Sequence, residues 1–246
     1  MKTKTYPSGH TVTQLYDVAG DLSNFSGNLG DGTQRTYSTG LKYNAQGQMI
    51  REQFGTQTPL YHRRHFNARG QLFDVRLGTG NNDSFDGAVP GLAPTSWNRG
   101  SLRLYYSSSY NDQDGPTAAP QNNNGNLYRQ DIFVPTSEAL DSNGNLASWL
   151  LGVDYYSYDA LNRLVSVDEL PAASWVGVPP GSIGWLPQAY SQRYQYDRFG
   201  NRRLNTIGTW GIGINRKDFA LTGASNRLDK PGGSTCSGTK SGLCYD

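Results

Sequence analysis

Two histidines three positions apart, His62 and His65 in Tyr61-His-Arg-Arg-His-Phe66, have a spacing that invites a metal ion. Position argues against it. The surrounding text alternates like a strand, where residues three apart point to opposite faces and cannot share one ion. Hydrolysis of a polysaccharide would need two carboxyl groups facing each other across a cleft. The densest acidic group is Asp154, Asp159, Asp168 and Glu169. Asp159 has a turn to make, Asp168 and Glu169 are strand neighbours that point opposite ways, and Asp154 is expected in solvent. Calcium would suit Asn81-Asn82-Asp83 with Asp86, or Asn111-Asp112 with Asp114, but neither has the EF-hand spacing. Gly211-Ile-Gly213 lacks the Gly-x-Gly-x-x-Gly string of a nucleotide loop, and no Gly-x-Ser-x-Gly elbow stands between a strand and a helix. The expectation is no catalytic residue, no metal and no cofactor. The aromatics leave one binding alternative open: Trp97, Trp175 and Trp185 on inserted loops are candidate ligand-facing residues for a carbohydrate- or cell-surface-binding module. A polysaccharide-acting hydrolase stands as the second alternative.

What must position such residues is a repeat. An aromatic followed by Asp or Asn, two variable residues and a turn residue recurs five times. The copies are Tyr16-Asp17 with Gly20, Tyr43-Asn44 with Gly47, Phe66-Asn67 with Gly70, Tyr158-Asp159 with Asn162, and Tyr196-Asp197 with Gly200. Period-two text flanks them, as in Tyr156-Ser-Tyr158 before one and Leu72-Phe-Asp-Val75 after another. That pattern spells strand, turn, strand. The Asp or Asn side chain can bond amides two residues on, and Gly or Asn takes the left-handed position. Degenerate copies at Asn123-Asn124-Gly125 and Asp141-Ser-Asn-Gly144 keep the turn and drop the tyrosine.

Composition agrees with strands and turns. Gly numbers 30, Tyr 16 and Phe 8 among 246 residues, and glutamate occurs only at Glu52, Glu138 and Glu169, so the acids are mostly turn-forming Asp. A charged fraction of 17% with net charge +2 and abundant aromatics is unlike a disordered chain. The arginines stand singly or in pairs, so no nucleic-acid footprint is expected. No apolar run is long enough to suggest a membrane span.

The stretches Tyr158-Asp-Ala-Leu-Asn-Arg-Leu164 and Tyr196-Asp-Arg-Phe-Gly-Asn201 resemble the RHS, or YD-repeat, family of large bacterial polypeptides. Tyr6-Pro-Ser-Gly9 leading to Tyr16-Asp17, and Ser225-Asn-Arg-Leu228 leading to Tyr245-Asp246, are similar to family units. In that family, which includes toxin-complex shells, polymorphic toxins and teneurins, such repeats build a long β-sheet that spirals into a hollow cocoon. The resemblance implies an all-β array of antiparallel hairpins forming a curved or spiralling sheet, and a structural shell or scaffold role in a larger secreted or surface protein. The cocoon encloses a toxin or cargo in toxin members. Nothing here is similar to the self-cleaving segment that ends the family's shell, so cleavage is not carried over.

The expected layout is repeats over 1–78, an insertion with a strand pair over 79–125, repeats over 126–170, a proline-rich insertion over 171–188, and repeats over 189–246. The final Tyr245-Asp246 reads as the first half of a further motif. Expected partners are the rest of the array, or a second copy through open sheet edges, with glycan or enclosed cargo as others and no nucleic acid. Cys236 and Cys244 could close a small disulfide or stay free.

Overall fold

Alternating side chains and turn residues at fixed offsets give the described residues strands and almost nothing else. The computed structural model describes residues 1–85, 87, 93–107, 123–170, 183–185 and 190–211, together with the backbone at 220–221 and 228–229. Trp175, Cys236 and Cys244, and the side chain of Trp185, lie outside the described residues, as do Asp86, Asn111, Asp112 and Asp114.

The first seven strands are β1 (Lys2–Thr5), β2 (His10–Tyr16), β3 (Leu22–Leu29), β4 (Arg35–Tyr43), β5 (Met49–Phe54), β6 (Leu60–Phe66) and β7 (Leu72–Gly78). A single 3-10 turn over Pro94–Ser96 precedes β8 (Gly100–Tyr105), β9 (Arg129–Pro135), β10 (Trp149–Tyr158) and β11 (Leu164–Leu170). Then follow β12 (Ile183–Trp185), β13 (Ser191–Tyr196), β14 (Arg202–Leu204), β15 (Ala220–Leu221) and β16 (Leu228–Asp229). The fold class expected from the sequence is the one found: the described residues are all-β, and strand follows strand as antiparallel neighbours.

The chain divides into two compact units, with the boundary between Leu151 and Gly152 inside β10. In the first unit, β1 to β9 pair in sequence order, each antiparallel to the next. Sequence order costs little loop closure, since each strand meets the one just made. In the second unit β10 pairs with β11, β11 with β13, and β13 with β14, while β15 and β16 form their own ribbon.

Strand β8 falls within the stretch read as an insertion, yet it takes its place in the ladder between β7 and β9. The added segments of that stretch are therefore two, one before the 3-10 turn and one after Ser107.

Apolar burial in the first unit centres on Trp97, Phe133 and Trp149, with Phe73 completely enclosed. Trp97 meets both of its neighbours edge-on at 6.0 Å, a favourable aromatic geometry. This corrects the expectation for Trp97. It is 1% exposed and serves as core, because the turn before β8 folds it inward, so no ligand can stack on it.

Candidate functional site

The repeated motif closes as one hairpin turn. In each of the five copies the Asp or Asn amide donates to the carbonyl four residues on, and the residue three on donates back to the Asp or Asn carbonyl. The side-chain Oδ1 then accepts two further amides: Ala19 and Asp21 on Asp17, Gln46 and Gln48 on Asn44, Arg69 and Gln71 on Asn67. Leu161 and Arg163 do the same on Asp159, and Phe199 and Asn201 on Asp197, all between 2.8 and 3.0 Å. Four backbone amides at each corner thus have a partner within the turn. Asn162 supplies the left-handed corner at φ 59°, where the other copies have glycine. The side-chain hydrogen bond to Asn201 at Asp197, and the backbone bond to Arg163 at Asp159, hold these carboxyls below their ordinary values.

Asp141 makes the same four bonds, to Asn143, Gly144 and Asn145. It is a full sixth turn, as its spelling implies, with Leu140 standing where the tyrosine would be.

In four of the five copies the returning strand carries a bulge at its second residue, Ser23, Ile50, Phe73 or Val165, where the register shifts by one. The fifth copy, Tyr196 against Arg202, pairs without a shift. A bulge turns neighbouring side chains toward one face. That is how Phe73 and Asp74 come to be buried together, at 0% exposure each.

The tyrosines join one hairpin to the previous one. Tyr43 donates its hydroxyl to the Leu22 carbonyl at 3.0 Å, and Tyr196 to the Leu164 carbonyl at 2.8 Å. In both cases the acceptor is the first residue of the strand leaving the earlier turn. Tyr106 makes this stitch too, to the Leu72 carbonyl at 2.8 Å. The adjoining Ser107 bridges to Asn123. Tyr106-Ser107 and Asn124-Gly125-Asn126-Leu127 are therefore the two halves of one motif, separated by residues 108–122. The degenerate copy at Asn123 had not lost its tyrosine. Tyr16 differs, for it is 43% exposed and its hydroxyl donates to Gln14.

Phe66 stands at the tyrosine position of its copy without a hydroxyl, and the equivalent acceptor is the Met49 carbonyl. Phe66→Tyr is expected to stabilise the chain by about 0.5–1.5 kcal/mol, as one added intramolecular hydrogen bond does. A higher urea midpoint at unchanged slope would show it, and a lower midpoint would mean that the hydroxyl finds no acceptor.

One face of β5 to β9 is largely polar and buried, with Lys42 of β4 exposed at its end. Direct cross-strand partners place Lys42 opposite Arg51, Arg51 opposite Arg63, and Arg63 opposite Arg76. Beside this basic row runs an alternating one, with His65 opposite Asp74, Asp74 opposite Arg103, and Arg103 opposite Asp131. Arg63, Arg76 and Arg103 are each no more than 3% exposed, and Asp74 and Asp131 are fully buried. Like charges directly opposed repel, so the basic row needs counter-groups. Arg76 has one on its own strand, Asp74, at 2.7 Å from its Nε, and the segment after β7 brings the others: the Asp83 carboxylate accepts from Lys42 and, at 2.9 Å, from Arg51 Nη1, while the Gly80 carbonyl accepts from Arg63 and the Gly87 carbonyl from Arg76 at 2.7 Å. The Phe85 ring lies edge-on to Phe73 and His65, both at 5.2 Å, with the Arg76 guanidinium 4.9 Å from its centre. Burial raises the Asp83 carboxyl, but the bonds from Lys42 and Arg51 outweigh it and hold the group below its ordinary value.

In the second unit Asp154 and Glu169 are directly opposed on β10 and β11. The expectation of a solvated Asp154 is corrected: it is 7% exposed, because Tyr190 covers it and its hydroxyl reaches Asp154 Oδ1 at 3.5 Å. Burial, with the charge of Asp154, raises the Glu169 carboxyl, and the same two causes push the Tyr190 phenol up to about 12. A raised carboxyl favours folding while protonated and loses that advantage as the pH rises through its folded value. Glu169→Gln is accordingly expected to raise the melting temperature at neutral pH by the equivalent of less than about 1 kcal/mol. The gain should vanish as the pH falls to the ordinary glutamate value of 4.5. A gain that is the same at both pH values would assign it to packing instead.

The remaining candidates have structural partners. Asp168 pairs with Arg193 at 2.7 Å, and Asp159 holds both its turn and Arg163. His62 lies beside Glu52 and stacks on Phe54, while His65 Nδ1 is 3.0 Å from Asp74 on the opposite face. Among the described residues no three His, Cys, Asp or Glu side chains gather as a metal site. Asp83, in the Asn81-Asn82-Asp83 group weighed for calcium, is paired with Lys42 and Arg51.

No protein-family model matches the chain, and neither does any curated protein. Solved structures do. The chain is similar over 93% of its length to part of the chain in the crystal structure of TcdB2-TccC3, with TM-score 0.56 and 20% identity, covering 10% of that chain. The crystal structure of TcdB2-TccC3-Cdc42 gives TM-score 0.55, 20% identity, 93% of this chain and 10% of that one. TcdB2-TccC3 without its hypervariable C-terminal region gives 0.54, 20%, 93% and 9%. The present chain thus has the fold of a segment of these proteins and spans about a tenth of their length.

Proposed function

We propose that this chain is a wall segment of a YD-repeat shell, contributing enclosure and rigidity instead of chemistry. The observation that carries the reading is the stitched hairpin: turns closed by their own Asp or Asn, with three tyrosine hydroxyls, those of Tyr43, Tyr106 and Tyr196, reaching the strand of the hairpin before. Such a unit stacks on copies of itself and gains stability at each interface. The likeness in fold to TcdB2-TccC3 chains supports a wall of a toxin complex, in which a cargo would be enclosed.

A wall continues through its edges. Tyr6 donates its amide to His10 at the start of the first hairpin, so by antiparallel alternation Lys4 and Lys2 face β2, and Thr3 and Thr5 turn their amides and carbonyls outward. The partner is a further hairpin of the array or, for the chain alone, a second copy. Sedimentation across a wide concentration range tests this. The unaltered chain is expected to associate, and Thr5→Pro, which removes an outward donor while keeping the β1–β2 hairpin, to remain monomeric. A monomer at every concentration, or equal association by Thr5→Pro, would rule out edge pairing through β1.

A further inference from the structure

The row Lys42–Arg51–Arg63–Arg76 presents one cation from each of four successive strands on the same face, at the spacing of neighbouring strands. Nothing in the repeat requires this, because the turns and the tyrosine stitches close without it. The row is covered by residues 80–85 and Gly87, which form no strand. They lie on the sheet as a bound peptide would, held through their own acceptors: one carboxylate, two carbonyls and one ring. Their contacts describe a recognition pattern. A carboxylate sits between Lys42 and Arg51, and two residues later an aromatic ring sits among Phe73, His65, Arg76 and Arg103.

We propose that this basic row is a docking surface for an extended acidic peptide with an aromatic two residues after its carboxylate, and that residues 80–85 and Gly87 occupy it in cis. Guanidinium groups on a sheet favour such a segment by charge-assisted bonds to carboxylate and carbonyl oxygen and by attraction to the ring face. The Asp83 side chain is 29% exposed, so the cis segment is open to exchange at its charged anchor. A peptide in trans competes with a tethered copy of itself, and its apparent affinity is lowered by the fraction of sites already filled.

The test uses a fluorescein-labelled peptide with the sequence of residues 80–87 and the full chain. In the D83N/F85A variant the anchors are lost while the basic row stays. Fluorescence polarisation is expected to show the peptide binding this variant at least about tenfold more tightly than the unaltered chain. The same peptide with lysine in place of Asp83 should bind neither, and R51Q in the variant background should remove most of the gain. If the double variant loses its β circular-dichroism spectrum, D83N alone decides, with a gain of at least about threefold. A folded variant that binds no more tightly than the unaltered chain overturns the proposal, as does a gain that R51Q leaves intact.

Discussion

Asp131→Ala is expected to lower the stability of the first unit by about 3–5 kcal/mol, the usual result of removing one partner from a buried ion pair. Asp131 is wholly enclosed and accepts from Arg129 Nε and Nη2, both at 2.6 Å, and from the Tyr105 hydroxyl at 3.0 Å. Arg103 stands directly opposite on β8. Without the carboxylate, the Arg103 and Arg129 guanidinium groups remain buried, and among the described residues the enclosed acid left on that face is Asp74, opposite Arg103. Chemical denaturation, followed by midpoint and slope, measures the loss. The control is Asp31→Ala, which removes an equally well-formed pair with Arg35 at 2.7 Å, but one in solvent. Its midpoint should scarcely move. Equal effects at the two sites would show that burial of the Asp131 network contributes nothing.

Gly78→Val is the second large effect. A Cβ at Gly78 would lie 2.1 Å from the Thr95 carbonyl oxygen and 2.6 Å from the Ser96 carbonyl carbon. Those are backbone atoms of the 3-10 turn, so no side chain can swing aside. The turn is anchored there by the Gly80 amide donating to Thr95 at 2.8 Å, and Trp97 follows it immediately into the core. Overpacking of this kind costs about 1–3 kcal/mol where the structure can shift. Here relief requires lifting the turn, which would expose Trp97. The expected signature is a destabilised chain with red-shifted tryptophan emission before the main unfolding transition. Destabilisation with unshifted emission would place the strain elsewhere in β7.

The turns were legible because their chemistry is local. Asp17, Asn44, Asn67, Asp159 and Asp197 each find acceptors and donors within four residues, so residue type and offset are enough. Asp141 was read as degenerate only because the tyrosine before it is absent, although the tyrosine belongs to the stitch and the aspartate to the turn. Tyr106 was missed for the opposite reason, since its turn partners lie beyond residues 108–122.

The buried basic row could not be read from alternation. Arg51, Arg63 and Arg76 each sit at an alternating position of their own strand and look like its wet face. What buries them is a segment that returns over β4 to β8, and its contacts are long-range. Trp97 misled in the same way, because a tryptophan between prolines and glycines reads as a loop residue until the turn over Pro94–Ser96 tucks it beneath β9 and β10.

The split motif bears on how such an array changes over time. At Tyr106-Ser107 the stitch to Leu72 and the bridge to Asn123 survive although residues 108–122 stand between the halves. Closing a longer loop costs only about 1 kcal/mol for a fourfold increase in length. A turn tip is thus a port at which new sequence enters while the ladder on either side keeps its register. Novelty in a protein of this kind should collect at its corners, and the strands should record its descent.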